Sequence, residues 1–174
     1  AVDLLYPTSN TPSITVTTQD KQQKVLNKHG QITQWQTGKI HSMYGLFQEK
    51  QTFNEYIGGW DTSKVRDMSY MFRGATQFNQ NLNQWKTQKV TNMNFMFQNA
   101  TQFNQNLSGW KTQNVTDMSQ MFYNATQFNQ NLSGWCVQHI SPEPDSFAKG
   151  SPLEGNTQKQ PHWGTCPEPS SPSY

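Results

Sequence analysis

The chain repeats itself every twenty-five residues, and few features restrict a fold more. The phrase "ATQFNQNL" occupies residues 75–82, 100–107 and 125–132. Trp35, Trp60, Trp85, Trp110 and Trp135 keep the same interval, and only Trp163 falls outside it. Taking each of these Trp as offset zero, offset 12 reads Phe47, Phe72, Phe97, Phe122 and Phe147. Offset 18 reads Phe53, Phe78, Phe103, Phe128 and Leu153, and offset 5 reads Ile40, Val65, Val90, Val115 and Ile140. Every Met lies at offset 8 or 11, and nine of the ten Phe lie at offset 12 or 18. A mean hydropathy of −0.89 leans toward disorder. Apolar residues this strictly phased, in a chain that is 13% aromatic, predict an ordered core instead.

Periods of roughly 20–29 residues are those of leucine-rich-repeat-like coils, in which a strand and a short helical segment make one turn. Offsets 5, 8, 11 and 12 fall within about a 120° arc when wound at roughly 100° per residue, one face of a helix. The segments "KVRDMSYMF", "KVTNMNFMF" and "NVTDMSQMF" therefore read as short helical turns. A Thr at offset 2 (Thr37, Thr62, Thr87, Thr112) or offset 6 (Thr91, Thr116) would cap the start. Asp67 and Asp117 would complement the dipole there. Gly74, Asn99 and Asn124 at offset 14 are turn formers at the far end. "FNQNL" reads as a short strand with Phe and Leu inward. The expected fold is an α/β repeat solenoid of right-handed coils, each with one short strand and one short helical turn, capped at both ends.

On this reading residues 1–34 form a strand-like N-terminal cap through "SITVTT" and "KVLNKHGQIT". Residues 35–134 hold four repeats, and 135–166 form a degenerate fifth repeat broken by Pro142, Pro144 and Pro152. Residues 167–174 have linker composition, as in a segment of a longer multi-domain chain. Cys136 and Cys166 admit free thiols, a redox pair or a disulfide. Their placement at the last repeat and before a Pro-rich tail favours a disulfide clasp, which implies an oxidising compartment.

The repeated phrase has two readings. It is either a contact surface or the joint between coils. Strands stacked about 4.8 Å apart bring equivalent residues together, so Asn54, Asn79, Asn104 and Asn129 would form a ladder of amides. The structural reading is preferred, with Asn79, Asn104 and Asn129 kept as a second-choice binding ladder.

The pattern "GW.T..V.DMS.MF..AT.FNQNLS.W" over residues 35–135 closely resembles the 25/26-residue repeat of the BspA-like bacterial surface proteins, found also in mycoplasma lipoproteins and secreted marine bacterial proteins. The end "WC…SPEP…F…GSPL…W.TCP" looks like a closing segment that follows such repeats in secreted bacterial proteins. The resemblance implies a leucine-rich-repeat-like secreted or surface protein engaged in adhesion, with no enzymatic activity in the repeat. The chain departs from the best-known members in carrying "FNQNL" where those have a Leu-rich strand, so their partners do not transfer.

Other chemistry is not indicated. The four His (His29, His41, His139, His162) share no ligand spacing, and no cofactor or metal motif occurs. The formal charge of +2 contains no basic run for nucleic acid or an anionic membrane, and no stretch reaches the roughly 18 apolar residues of a membrane span. The chain begins at Ala1 with neither an initiator Met nor a basic-then-apolar leader, as after signal-peptide removal or in a segment taken without one. Sequons at Asn99, Asn106, Asn114, Asn124 and Asn131 follow from the period and mildly favour a bacterial source.

If repeated positions hold the coils together, specificity belongs where copies differ. Offset 10 reads Tyr70, Phe95, Gln120 and offset 13 reads Arg73, Gln98, Tyr123, with Arg66 at offset 6. Tyr70, Arg73, Phe95, Tyr123 and Arg66 are the candidate partner-binding residues, since aromatics beside Arg favour interface centres. The expected function is a non-catalytic interaction module for a protein or glycan ligand. Alternatives are ice or crystalline-surface binding, or an accessory or spacer domain of a larger secreted enzyme or adhesin. Single Thr columns rather than paired Thr rows weaken the ice reading.

Overall fold

A computed structural model describes residues 30–168 of the chain. Four coils follow the period: coil 1 (35–59), coil 2 (60–84), coil 3 (85–109) and coil 4 (110–134), with a closing segment at 135–166. Phased apolar residues fill one continuous interior. Val65, Met68, Met71, Phe72, Ala75, Phe78 and Leu82 are fully buried, and so are their equivalents in coils 3 and 4. Coil 1 is the exception: Ile40 is 40% exposed, and Trp35 and Leu46 are only partly buried. Each interior position meets its own copy one coil on. Successive Phe at offset 18 lie 5.5, 5.8 and 5.7 Å apart between ring centroids, with planes within 10°. Within a coil the offset-12 and offset-18 rings also stack, at 4.0 Å for Phe72–Phe78. Offset stacking of this kind adds about 0.5–1.5 kcal/mol per pair beyond burial.

The expected strand and helical turn are absent. Among the described residues, regular structure is limited to a 3-10 turn at Ile32–Gln34 and isolated parallel bridges joining Ser42, Asp67, Asn92 and Asp117 in sequence. The α/β solenoid reading is therefore wrong in its elements. The coils are chains of turns.

Hydrogen-bond direction explains why. In coil 2 the N–H groups of Met68, Tyr70, Phe72 and Gly74 donate to carbonyls of Asn92, Asn94, Met96 and Gln98 in coil 3. The intervening Met71, Arg73 and Ala75 donate three residues back, to Met68, Tyr70 and Phe72. A helix needs every N–H to point the same way along the chain, and here alternate groups leave for the neighbouring coil. Left-handed backbone at offset 10 accomplishes the alternation: φ is +60° at Tyr70, +57° at Phe95 and +54° at Gln120. A non-glycine residue there costs about 1–2 kcal/mol, offset by the inter-coil bonds it permits. Gly45 holds the same place in coil 1 at φ +58°, without a side chain to strain. Offset 14 is left-handed too, at Glu49, Gly74, Asn99 and Asn124.

"FNQNL" fails as a strand for a related reason. Side chains take the places that neighbouring backbone would fill in a sheet. The Asn79 N–H donates to Asn54 Oδ1 at 2.9 Å. The Leu82 carbonyl accepts the Trp85 N–H, where coil 3 begins, at 3.0 Å and the Trp110 indole N–H, where coil 4 begins, at 2.9 Å. The offset-2 Thr do not cap helices. Thr62 Oγ1 donates to the Lys86 carbonyl at 3.2 Å and accepts the Lys86 N–H at 2.8 Å, joining two coils from a buried position. Asp67 and Asp117 accept the N–H of Ser69 and Ser119, both at 2.9 Å, as Asx turns rather than dipole partners.

The strand readings of "SITVTT" and most of "KVLNKHGQIT" lie outside the described residues, and the described part of the latter leads into the 3-10 turn. At the other end, Cys136 and Cys166 are joined by a disulfide across the closing segment. The last six tail residues, 169–174, also lie outside the described residues.

Candidate functional site

Left-handed backbone at offset 10 turns that side chain out of the interior. Tyr70 and Phe95 therefore meet on the flank of the stack, half-buried, with ring centroids 4.6 Å apart and planes 15° apart. Tyr44, one position earlier in coil 1, joins them 5.4 Å from Tyr70 and is 59% exposed. The result is a row of three surface aromatics running along the stack. Tyr70 and Phe95 cover one face of each other, so part of what they offer outward is ring edge. Ring edges carry the positive side of the aromatic quadrupole.

A polar chain neighbours the row. Arg73 pairs with Glu49 at 3.2 Å and donates from Nε to Gln98 Oε1 at 2.6 Å. Gln98, itself buried, donates onward to Gln120 Oε1 at 2.8 Å. Of the five candidate residues, the structure brings Tyr70 and Phe95 together and ties Arg73 into the adjacent chain of bonds. Arg66 is exposed and Tyr123 half-buried, and neither side chain makes a hydrogen bond, ion pair or ring contact among the described residues. Sequence reasoning missed Tyr44. Its signal was present: in coil 1 glycine takes offset 10, and the aromatic stands directly before it.

The amide ladder forms a second exposed face. Asn54, Asn79 and Asn104 each accept, through Oδ1, the N–H of the Asn one coil on, at 2.9–3.0 Å. Gln80, Gln105 and Gln130 donate Nε2 back to the carbonyl and Oδ1 of the same Asn. The row ends where Lys159 Nζ donates to the carbonyl and Oδ1 of Asn129, at 3.2 and 2.8 Å. Acceptors on these Asn side chains are thus spent on holding coils in register.

Among the described residues no group of three or more His, Cys, Asp or Glu is placed to hold a metal ion. The exposed Asp61 carboxyl is held below its usual range by hydrogen bonds from the Ser63 hydroxyl and N–H, helped by Lys86 and Lys64. It belongs to neither face. No helix among the described residues is long and apolar enough to cross a membrane.

Comparison with known proteins gives one match. Neither a curated protein nor a solved structure matches the chain. Two overlapping stretches, residues 17–135 and 63–159, match the bacterial family described as "Mycoplasma protein of unknown function, DUF285". Together they take in all four coils and most of the closing segment, and the chain belongs to that family.

Proposed function

We propose that the chain is a secreted or cell-surface interaction module of the BspA-like kind, non-catalytic, which holds a protein or glycan ligand in adhesion through positions that vary between its repeats. The carrying observation is the row Tyr44–Tyr70–Phe95, surface aromatics of which Tyr70 and Phe95 stand on left-handed backbone, with Arg73 beside them. Interior needs do not account for it, since Gln120 occupies the same position in coil 4. Membership in a bacterial repeat family and a disulfide-closed end both support an extracellular setting. The ice-surface alternative loses support, because the Thr columns spend their hydroxyls within the stack. Thr87 bonds the next coil, and Thr76, Thr101 and Thr126 each donate to the coil before.

The test is a double variant, Tyr70→Asn with Phe95→Asn. Asn removes both rings yet suits the left-handed backbone. Wild type and variant are compared on a glycan array and a panel of purified extracellular matrix proteins. Ligand binding by the wild type that drops about tenfold or more in the variant supports the reading. Equal binding by the two removes the row from the site, and no binding by the wild type beside binding by flanking domains leaves only a spacer.

A further inference from the structure

The nine residues 79–81, 104–106 and 129–131 spell Asn-Gln-Asn three times, and each triplet sits at the same place on its coil. The first and third residue of every triplet are exposed. The bonds already described spend the Oδ1 of Asn79 and Asn104 and the Nε2 of each Gln. The third residues, Asn81, Asn106 and Asn131, accept through Oδ1 the N–H two residues on, at 2.8–2.9 Å. What each coil leaves over is the same set: two side-chain Nδ2 groups to donate and one Gln Oε1 to accept, none bonded within the described residues. The backbone N–H groups take those Oδ1 acceptors, which leaves the Nδ2 groups of these exposed residues without a partner among the described residues.

Three further features narrow what such a face fits. The triplets carry no charge; Glu55 stands before the first and Lys159 caps the last. The equivalent position to Asn81 in coil 1 is Tyr56, 53% exposed, lying so close over Gly58 that a Cβ there would sit 2.7 Å from its ring. Between coils 3 and 4 the face carries a shallow, open depression of about 480 Å³ lined by Asn106, Ser108, Gln130, Asn131, Ser133 and Gly134.

We infer that this face binds a neutral, extended, 1,4-linked polysaccharide laid along the stack, with one sugar unit to each coil and Tyr56 as a stacking platform at one end. Sugar hydroxyls both donate and accept, and amides match that pairing; each triplet follows a Phe whose ring recurs 5.5–5.8 Å along the stack, a step of the same order as one sugar unit of an extended chain. A protein partner would ask for an apolar centre, which the triplets lack. A nucleic acid or polyuronate would ask for cations, and among the described residues the only one bonded to the triplets is Lys159 at the end. The inference does not use the aromatic row.

The test uses the whole chain with cellohexaose, mannohexaose and a hexauronate as probes in titration calorimetry. At least one neutral hexasaccharide should bind, and the hexauronate should not. The triple variant Asn81→Ser, Asn106→Ser, Asn131→Ser keeps the turn and the neutrality while replacing one row of Nδ2 donors by shorter hydroxyls that no longer reach as far from the coil. It should bind about tenfold or more weakly, with unchanged near-ultraviolet dichroism from the Trp column. Tyr56→Ala should weaken binding at one end in the same assay. The Tyr70→Asn, Phe95→Asn variant should bind these sugars as the wild type does, which separates the two faces. The inference is overturned if no neutral hexasaccharide binds, if the hexauronate binds as well, or if the triple variant binds like the wild type.

Discussion

Coils 2–4 and the closing segment solve one problem in opposite ways. Inside the repeat, each group's partner is its own copy one coil along: Phe97 stacks on Phe122 with planes 3° apart, and Asn79 accepts from Asn104. Past coil 4 the copies run out, and unlike residues take over the partner roles. Phe147 meets Phe122 at 89° and is itself met edge-on by Trp163. Lys159 replaces the next Gln at Asn129, and the Thr165 carbonyl accepts the Val137 N–H at 2.8 Å. A stack built on identity has no internal reason to stop, so its end must be made of residues that satisfy the last coil without offering the next one. The disulfide ties that end down.

The contrast can be broken most severely at its centre. Phe97→Ala leaves a cavity touching rings of three coils and should cost about 3–5 kcal/mol. Phe147→Ala, packed on one side by the closing segment, should cost less, and thermal unfolding of the two variants checks the order. Equal losses would mean the end is packed as the middle is. Removing the clasp by Cys136→Ser with Cys166→Ser frees a separation of thirty residues and should cost roughly 3–4 kcal/mol on the loop-closure argument. The melting temperature should fall by several degrees, and no fall would show that the bond adds nothing to the end. The smallest contrast lies on the amide ladder. Asn104→Ala strips acceptors from Asn129 N–H and Gln130 Nε2 and should cost about 1 kcal/mol. Lys159→Met loses only an exposed contact, about half that or less. Amide hydrogen exchange at Asn129 reads both: faster exchange in the first variant and little change in the second.

Much of the interior is legible in the sequence. The offsets that repeat Trp, Phe, Val, Met and Leu are the offsets that are buried, because an apolar side chain repeated at one phase is worth its place only if that phase faces inward. Ile40 breaks the pattern in the outermost coil. The candidate row is half legible. Tyr70 and Phe95 stand out as variable aromatics, but their mutual stacking and the joining of Tyr44 depend on the left-handed φ at offset 10. Tyr, Phe and Gln there carry no sign of that conformation; only Gly45 does. Arg66 and Tyr123 share the candidate list with that row but not its contacts.

The period, the inward positions and the pairing of each residue with its copy all reside in the sequence, since they follow from which side chains avoid water and how often they recur. Helix and strand do not, because the same information does not say which carbonyl each N–H finds. Apolar residues at offsets 5, 8, 11 and 12 satisfy a helical arc and a chain of turns equally well. A helix would have spent its N–H groups within one coil. That alternate N–H groups cross to the next coil instead is settled by the packed stack, because the choice depends on a neighbour close enough to accept them.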